Sequence, residues 1–145
     1  AVRKVKVFID SDPAGAMVYI DGHLSPKRTP IELLFDQVEE AKVRFLIRKK
    51  YHHDFEREID LSRADGLKIS ANLRSKKTRI FFWRMPEGTK ITINGENLEE
   101  GRRVFENAVL GSEYDIKFSF PGGDYKSQKI KPESPDEIHI DKNQL

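Results

Sequence analysis

Apolar and polar residues alternate along most of this chain. Near its beginning, Val5, Val7 and Ile9 alternate with Lys6 and Phe8. Successive side chains of a β-strand point to opposite faces, so this period of two predicts a strand with one buried and one solvated face. The same pattern predicts further strands within residues 43–48, 55–61, 67–74, 91–93, 114–120 and 138–140.

Turn signals separate these runs. Asp21-Gly22 and Asn94-Gly95 are dipeptides that tolerate the positive φ angles of a tight hairpin. Short strands spaced by ~8–12 residues are typical of a β-sandwich or barrel, so the predicted fold class is all-β. Further breaks are marked by proline and glycine in residues 11–15, 85–88 and 121–124.

Helical patterns are short. The segments from Glu32 to Glu40 and from Asn97 to Asn107 each have space for one helical turn. Neither shows an apolar period of 3.6 residues over several turns, so we expect no longer helix in the chain.

The chain also repeats itself. A shift of 73 residues aligns VFI (7–9) with IFF (80–82), and VYIDG (18–22) with ITING (91–95). One register fits four separated blocks, which indicates two copies of a unit of roughly 70 residues. We therefore predict two tandem antiparallel β-sandwich domains, the first at residues 1–74 and the second at residues 75–145. The other aligned blocks are PAG (13–15) with PEG (86–88), and Val43, Phe45 and Ile47 with Ile116, Phe118 and Phe120.

Composition narrows the function class. The 26 Lys and Arg against 24 Asp and Glu give a net charge of +2, which argues against a dedicated nucleic-acid binder. With 37% hydrophobic and 34% charged residues and no long apolar run, we expect a globular domain without membrane insertion. The absence of cysteine excludes disulfides and zinc-thiolate sites and leaves the compartment open. The chain begins without Met, which suggests a piece of a longer protein.

The repeated motif is similar to that of the PEGA domain, a family named for a Pro-Glu-Gly-Ala sequence. The first copy has SDPAGAMVYIDG (11–22) followed by Thr29-Pro30; the second has PEGT (86–89) and ITING (91–95) but no Thr-Pro. The later Gly-Tyr pair of the family becomes Lys50-Tyr51 and Asp124-Tyr125, and Ala41 replaces a further glycine where the second copy has Gly111. The resemblance gives structural turn roles to Pro13, Gly15, Gly22, Pro86, Gly88 and Gly95.

The resemblance also implies where such a chain works. PEGA domains are small transthyretin- or immunoglobulin-like β-sandwiches appended to larger bacterial or archaeal proteins, many of them at the surface and some of them signalling kinases. This implies an extracytoplasmic location, in the periplasm or at the cell surface, with a cytoplasmic one as the alternative. The family carries no catalytic residues and no cofactor, so the chain is predicted not to be an enzyme.

Outward aromatic residues are the first candidate for a binding site. By the repeat, Ile80 and Phe82 face the core, so Phe81 and Trp83 face outward, as Phe8 does in the first copy. Such side chains serve as a second packing layer, as a contact between repeats or as a ligand surface. Aromatic platforms hold sugars and peptides, which makes these residues candidates for recognition.

Basic residues form the second candidate. Arg44 and Arg48 share one face of a predicted strand, where they would contact an anionic partner or pair with acidic residues of a neighbouring strand. The acidic residues near in sequence are Glu39, Glu40, Glu56 and Glu58.

No catalytic or metal motif stands out. Adjacent His52 and His53 of an extended chain point to opposite faces, so with Asp54 they predict a polar turn and not a metal site. Asp10-Ser11-Asp12 resembles the start of a calcium loop but lacks the central glycine and the distal glutamate.

The resemblance, taken with these patterns, implies a non-catalytic binding or spacer module of a larger bacterial protein, contacting a protein partner or a cell-envelope component. Two alternatives stay open. One is a carbohydrate- or wall-binding module that uses Phe81 and Trp83. The other is a cytoplasmic regulatory domain of a signalling kinase or scaffold that binds through the face of Arg44 and Arg48.

Overall fold

The computed structural model describes residues 4–36 and 41–145. These residues form fourteen β-strands and two three-residue 3-10 helices, which are joined by turns and loops. The chain divides into two compact units, Ala1–Arg74 and Ser75–Leu145. Each unit is a sandwich of one three-stranded and one four-stranded sheet, which confirms the all-β fold class.

The first unit has the sheet orders β4-β1-β7 and β3-β2-β5-β6. All neighbouring strands are antiparallel except β1 and β7, which are parallel. A 3-10 helix at Leu61–Arg63 connects β6 to β7. The strands are β1 (Lys4–Asp12), β2 (Met17–Ile20), β3 (His23–Leu24), β4 (Ile31–Asp36), β5 (Lys42–Arg48), β6 (Phe55–Asp60) and β7 (Leu67–Asn72).

The second unit repeats this topology strand for strand. Its sheet orders are β11-β8-β14 and β10-β9-β12-β13, and again one pair, β8 with β14, is parallel. A 3-10 helix at Lys142–Gln144 follows β14. The strands are β8 (Lys77–Trp83), β9 (Lys90–Ile93), β10 (Glu96–Asn97), β11 (Val104–Val109), β12 (Tyr114–Ser119), β13 (Tyr125–Ile130) and β14 (Ile138–Asp141).

The strand at the centre of each three-stranded sheet contributes to the core through every second residue. In β1 the alternation begins with exposed Lys4 and buried Val5 and continues to Ile9, which is fully buried. In β8, Ile80 and Phe82 are buried, and Phe82 meets the edge of Phe118 at 5.8 Å between ring centroids. Burial of each such side chain stabilises the fold by about 1.5–3 kcal/mol.

Thr29 fixes the Pro-x-Gly turn of the first unit. Its buried hydroxyl accepts a hydrogen bond from the Ala16 amide at 2.9 Å and exchanges another with the Ser11 hydroxyl at 2.5 Å. Backbone bonds run from the Gly15 amide to the Thr29 carbonyl and from the Thr29 amide to the Ala16 carbonyl, both at 2.9 Å. Gly15 has φ +85°, a conformation that favours glycine. Thr29 of the Thr-Pro pair is therefore bonded to the Pro-x-Gly turn through both its side chain and its backbone.

The Pro-x-Gly turn of the second unit has a side-chain hydrogen bond between two of its own residues. Thr89, the residue after Gly88, donates its hydroxyl to the Pro86 carbonyl at 2.6 Å. Gly88 has φ +85°. The second copy, which has no Thr-Pro pair, thus has a hydroxyl bond within the turn itself, where the first copy has one from Thr29.

Both hairpins use the side chain before the glycine as a bond acceptor. Asp21 accepts from the Arg44 amide at 2.9 Å, and Asn94 accepts from the Asp115 amide at 2.8 Å. Asp21 and Asn94 have φ +48° and +50°, and Gly22 and Gly95 both have φ +83°. The two dipeptides thus form the turn and attach it to the neighbouring strand.

The two suggested helical turns are wrong over the described residues. Ile31–Asp36 is β4, paired in antiparallel register with β1, and residues 37–40 lie outside the described residues. In the second unit Asn97 belongs to β10, and Val104–Val109 is β11. Backbone pairing with the central strands decides both cases, because it satisfies amides and carbonyls along a whole sheet edge where one helical turn would satisfy few.

We expect Thr29→Val to destabilise the first unit by about 1–3 kcal/mol, because the Ala16 amide and the Ser11 hydroxyl lose a buried partner. Thr29→Ser keeps the hydroxyl and loses one methyl group, so we expect a cost of about 1 kcal/mol or less. Urea titration followed by circular dichroism measures both. Equal destabilisation by the two variants would contradict the role given to the hydroxyl.

Asp60 begins the 3-10 helix at Leu61–Arg63, and its carboxylate accepts from the Ser62 hydroxyl at 2.7 Å and the Ser62 amide at 3.0 Å. The hydroxyl bond, followed by the amide bond, lowers the pKa of Asp60. A lowered pKa in the folded state stabilises the fold above the pKa of the unfolded carboxyl, and this contribution disappears as the pH falls through the lower, folded value.

Ser62→Ala is therefore expected to lower the free energy of unfolding at neutral pH by removing the hydroxyl bond. The difference from the native sequence is expected to shrink as the pH falls through the folded pKa of Asp60. Urea titrations across an acidic pH series measure it, with Ser70→Ala, an exposed serine on β7, as the control. A difference that stays constant down to low pH would contradict the assignment.

Candidate functional site

An exposed group of rings lies on the outer face of the second unit's three-stranded sheet. Trp83 is 50% exposed and Phe81 is half-buried, both on β8, and His139 of β14 lies opposite Phe81 in the register. We call Phe81, Trp83 and His139 the aromatic cluster. Its members point outward because their neighbours Ile80, Phe82 and Ile140 point into the core.

The three rings have nearly parallel planes. The ring centroids of Phe81 and His139 are 5.3 Å apart with an interplanar angle of 13°, and those of Phe81 and Trp83 are 6.2 Å apart at 24°. The third pair, Trp83 and His139, has centroids at 5.9 Å and 25°. The near-equal spacings make the cluster a triangle of similarly oriented rings and not a linear stack.

One hydrogen bond fixes the orientation of the tryptophan. The indole Nε1 of Trp83 donates to Nδ1 of His139 at 2.8 Å. The N–H bond and the accepting lone pair lie in their ring planes, so this bond joins the rings edge to edge and does not itself cover a face of the indole. Acceptance at Nδ1 places the imidazole proton on Nε2, which lies 3.8 Å from a carboxylate oxygen of Glu137.

A groove of about 480 Å³ runs beside the cluster, on the side of β11. Its floor is apolar, and two arginines stand at its rim. Arg84 lies 3.7 Å from the carboxylate of Asp141, whereas Arg103 donates to the carbonyl of Arg102 at 3.1 Å. The residues that line the groove are Phe81, Phe82, Trp83, Arg84, Met85, Arg103 and Val104.

The first unit has a groove of about 540 Å³ at the corresponding place, beside Phe8 on β1. The chemistry differs, because Phe8 lies between Glu32 of β4 and Lys68 of β7 in the register. Glu32 also pairs with Lys6 at 3.4 Å. Where the second unit has Val104 and His139 beside its phenylalanine, the first unit has two charges of opposite sign. Phe8 and Phe81 thus occupy the same position in unlike surroundings.

Arg44 and Arg48 lie on the outer face of the other sheet of the first unit. Arg48 makes two hydrogen bonds to Asp54, at 3.0 and 3.1 Å, and its guanidinium lies 5.6 Å from the ring centroid of Tyr19. The bonds to Asp54 raise the pKa of Arg48. Arg44 lies 3.9 Å from the carboxylate of Glu58, its partner in the register. Both cations therefore have acidic neighbours, while Glu39 and Glu40 lie outside the described residues.

The weaker candidates have structural surroundings. His52 lies in the turn after β5, where its Nδ1 is 2.7 Å from the Lys50 carbonyl. Asp10, on β1, accepts from the Ser11 amide at 2.8 Å, and Asp12 ends the same strand. Within residues 4–36 and 41–145, no three histidine, aspartate or glutamate side chains converge in a way that would hold a metal ion.

Sequence reasoning missed His139 and Arg103. The alternation of Ile138 and Ile140 indicates that His139 points outward, but only the parallel pairing of β14 with β8 places it beside Phe81. Arg103 precedes β11, within residues 97–107, for which the sequence predicts a helical turn. Its position at the groove follows from the pairing of Val104 with Phe81.

Replacing His139 by leucine is expected to release the Trp83 indole, because its hydrogen-bond acceptor is lost. The fluorescence anisotropy of Trp83, the single tryptophan of the chain, should then gain a decay component on the picosecond-to-nanosecond timescale of free side-chain motion. His139→Gln keeps an acceptor and should show less of this component. An unchanged anisotropy decay in the leucine variant would show that the bond does not hold the ring.

No helix of the described residues combines the length and the apolar character needed to cross a membrane. Among solved structures, the Bacillus anthracis TIE protein has a similar fold, with a TM-score of 0.59 and 11% sequence identity. The alignment covers 97% of this chain, which spans 33% of that protein. At this identity the likeness shows a shared fold alone. No curated protein sequence matches the chain.

The PEGA domain model matches residues 4–77, which include the whole β-sandwich of the first unit and just over half of the chain. This match includes the Pro-x-Gly turn, the Asp21-Gly22 hairpin and the Thr29-Pro30 pair. It confirms the resemblance drawn from those residues: the chain belongs to the PEGA domain family.

Proposed function

We propose that this chain is a non-catalytic recognition module of a larger bacterial protein at the cell envelope, and that the aromatic cluster of its second unit contacts the partner. One observation carries the proposal. Trp83 is half exposed, held in place by His139, and occupies a sheet position where the first unit has Asp10. Exposed aromatic side chains of this kind are enriched at interface hot spots.

We propose that the second unit is a diverged PEGA domain. Its sheets have the same strand order and the same parallel pair as the first unit, and its Pro-x-Gly turn and Asn-Gly hairpin fall at the corresponding places. The first unit then keeps the family motif, while the second has changed its outer face.

The envelope location is supported by the family. PEGA domains are small β-domains that occur in extracellular and surface proteins. The cytoplasmic alternative, with binding through Arg44 and Arg48, has less support, because Glu58 and Asp54 already neighbour these cations. Surface ion pairs of this type are the ordinary use of opposite charges across strands.

A second candidate function is carbohydrate binding by the same cluster. The observation that favours it is the set of three similarly oriented rings, in which the indole of Trp83 is half exposed. The apolar C–H face of a sugar ring packs against such a surface, while its hydroxyl groups stay at the solvated edge.

The test is capture of partners by the purified chain from envelope and cytosolic fractions of the organism that encodes it. In the double variant Phe81→Ala, Trp83→Ala we expect capture of an envelope component to fall by about tenfold or more, because truncating an aromatic hot spot typically costs about 2 kcal/mol or more. Circular dichroism confirms that the variant folds.

Phe8→Ala is the matched control, since Phe8 occupies the corresponding position of the first unit. Envelope capture that persists in the double variant would assign the aromatic cluster to packing and overturn its proposed role. Capture from the cytosolic fraction alone would overturn the envelope location. Absence of any partner in both fractions would favour a spacer that only sets a distance.

A further inference from the structure

We infer that the groove beside Trp83 binds a sugar ring that carries a carboxylate group. The inference rests on the proposed recognition role of the aromatic cluster and specifies the chemistry of the ligand. It combines the shape and apolar floor of the groove, the charge at its rim and the contrast with the first unit.

The floor of the groove suits one face of a ring. Phe81, Trp83 and Met85 supply an aromatic and thioether surface, and the volume of about 480 Å³ lies within the ~300–1,000 Å³ typical of small-molecule sites. The bond from Trp83 to His139 holds the indole in position before a ligand arrives. A ligand that packs on a fixed ring avoids the entropy cost of ordering that side chain.

The rim of the groove carries one cation without an acidic partner. Arg84 is paired with Asp141 and Arg102 with Glu106, at 3.7 and 3.4 Å. Arg103 lines the groove, donates to a backbone carbonyl and forms no ion pair with any carboxylate in the part of the chain that the structure describes. The planar guanidinium has donors spaced to bind a carboxylate through two parallel bonds.

The surroundings favour a sugar over an extended peptide. A peptide would bind here by adding a strand to the edge strand β11, but the register of β11 on β8 shifts between Phe105 and Ala108. Such a bulge twists an edge and interrupts the row of groups that strand addition needs.

The corresponding groove of the first unit is lined by different charged residues. Its groove has the same position, but Glu32 lines it and opposes Phe8 in the register. Two carboxylates, Glu32 and Asp10, line it against one cation, Lys68. Among the described residues that line the groove of the second unit there are two arginines and no aspartate or glutamate, which favours an anionic ligand there. The acidic sugar is therefore expected at the second unit only.

The experiment titrates the full chain with an oligomer of galacturonic acid and, in parallel, with its methyl ester, which keeps the sugar ring and removes the charge. Emission of Trp83 reports on the groove directly, since it is the single tryptophan of the chain. We expect a saturable change with the acid form and binding about tenfold weaker or more with the ester, because charge-assisted hydrogen bonds are roughly twice as strong as neutral ones.

Two charge variants locate the contact. Arg103→Gln should weaken binding of the acid form by about tenfold and leave binding of the ester unchanged. Lys126→Gln, an exposed residue of β13 on the other sheet, removes the same charge and should change neither. Equal losses in the two variants would reveal attraction to the overall charge, and the inference would be wrong.

The remaining outcomes separate this inference from the proposed function. Equal binding of acid and ester would overturn the carboxylate contact and leave a neutral sugar site. If neither oligomer changes the emission or competes with the captured envelope component, while the Phe81, Trp83 double variant loses that component, the inference fails and the recognition role stands. If capture is also unaffected by the double variant, both fail.

Discussion

Burial of the inner face of one central strand is the constraint on which each unit depends. β1 and β8 have a neighbour on both sides, and their alternate residues from Val5 to Ile9 and from Thr78 to Phe82 are almost completely buried. A unit of about 70 residues has a small core, so few of these positions tolerate a polar or smaller side chain. The outer positions of the same strands do not contribute to the core, so their side chains can differ between the two units.

A comparison of the two units shows which of their turns and outer positions differ. The glycines of the two Pro-x-Gly turns both have φ +85°, but the turns use different hydroxyl bonds, from Thr29 in the first unit and from Thr89 in the second. The outer face of the central strand changed in character: Asp10 corresponds to Trp83, and Lys68 to His139. Shared turn glycines with different outer side chains are what two copies of one scaffold under the same folding constraint would show.

Much of this fold follows from local sequence patterns. The period of two determines which residues of β1 and β8 face inward, and the Asp-Gly and Asn-Gly dipeptides place the hairpins, because both effects act over a few bonds. The pairing of β14 with β8 is parallel and links residues nearly 60 positions apart, so no local pattern encodes it. His139 therefore joins Trp83 only in three dimensions.

The difference between local patterns and long-range pairing also explains why the two predicted helical turns are wrong. Residues 31–36 and 97–107 have mixed polarity because β4, β10 and β11 are edge strands, each paired on one side and partly solvated. A weak alternation resembles a short helical turn until its partner strand is known. Arg103 was missed for this reason, and with it the charge at the groove.

A large aromatic side chain on a solvated strand is a cost to a small domain, since exposed apolar surface promotes association. The first unit shows that the fold does not need one at this position, because Asp10 stands there on an otherwise equivalent strand. Nor is the indole loosely placed, as its hydrogen bond to His139 holds it against a neighbouring strand. A side chain that the core does not require, and that a specific bond nevertheless orients, supports the proposal that the aromatic cluster contacts a partner. Because the cluster stands on the central strand and not on a loop, its geometry is set by the most deeply buried part of the unit, which is where a rigid recognition surface is best supported.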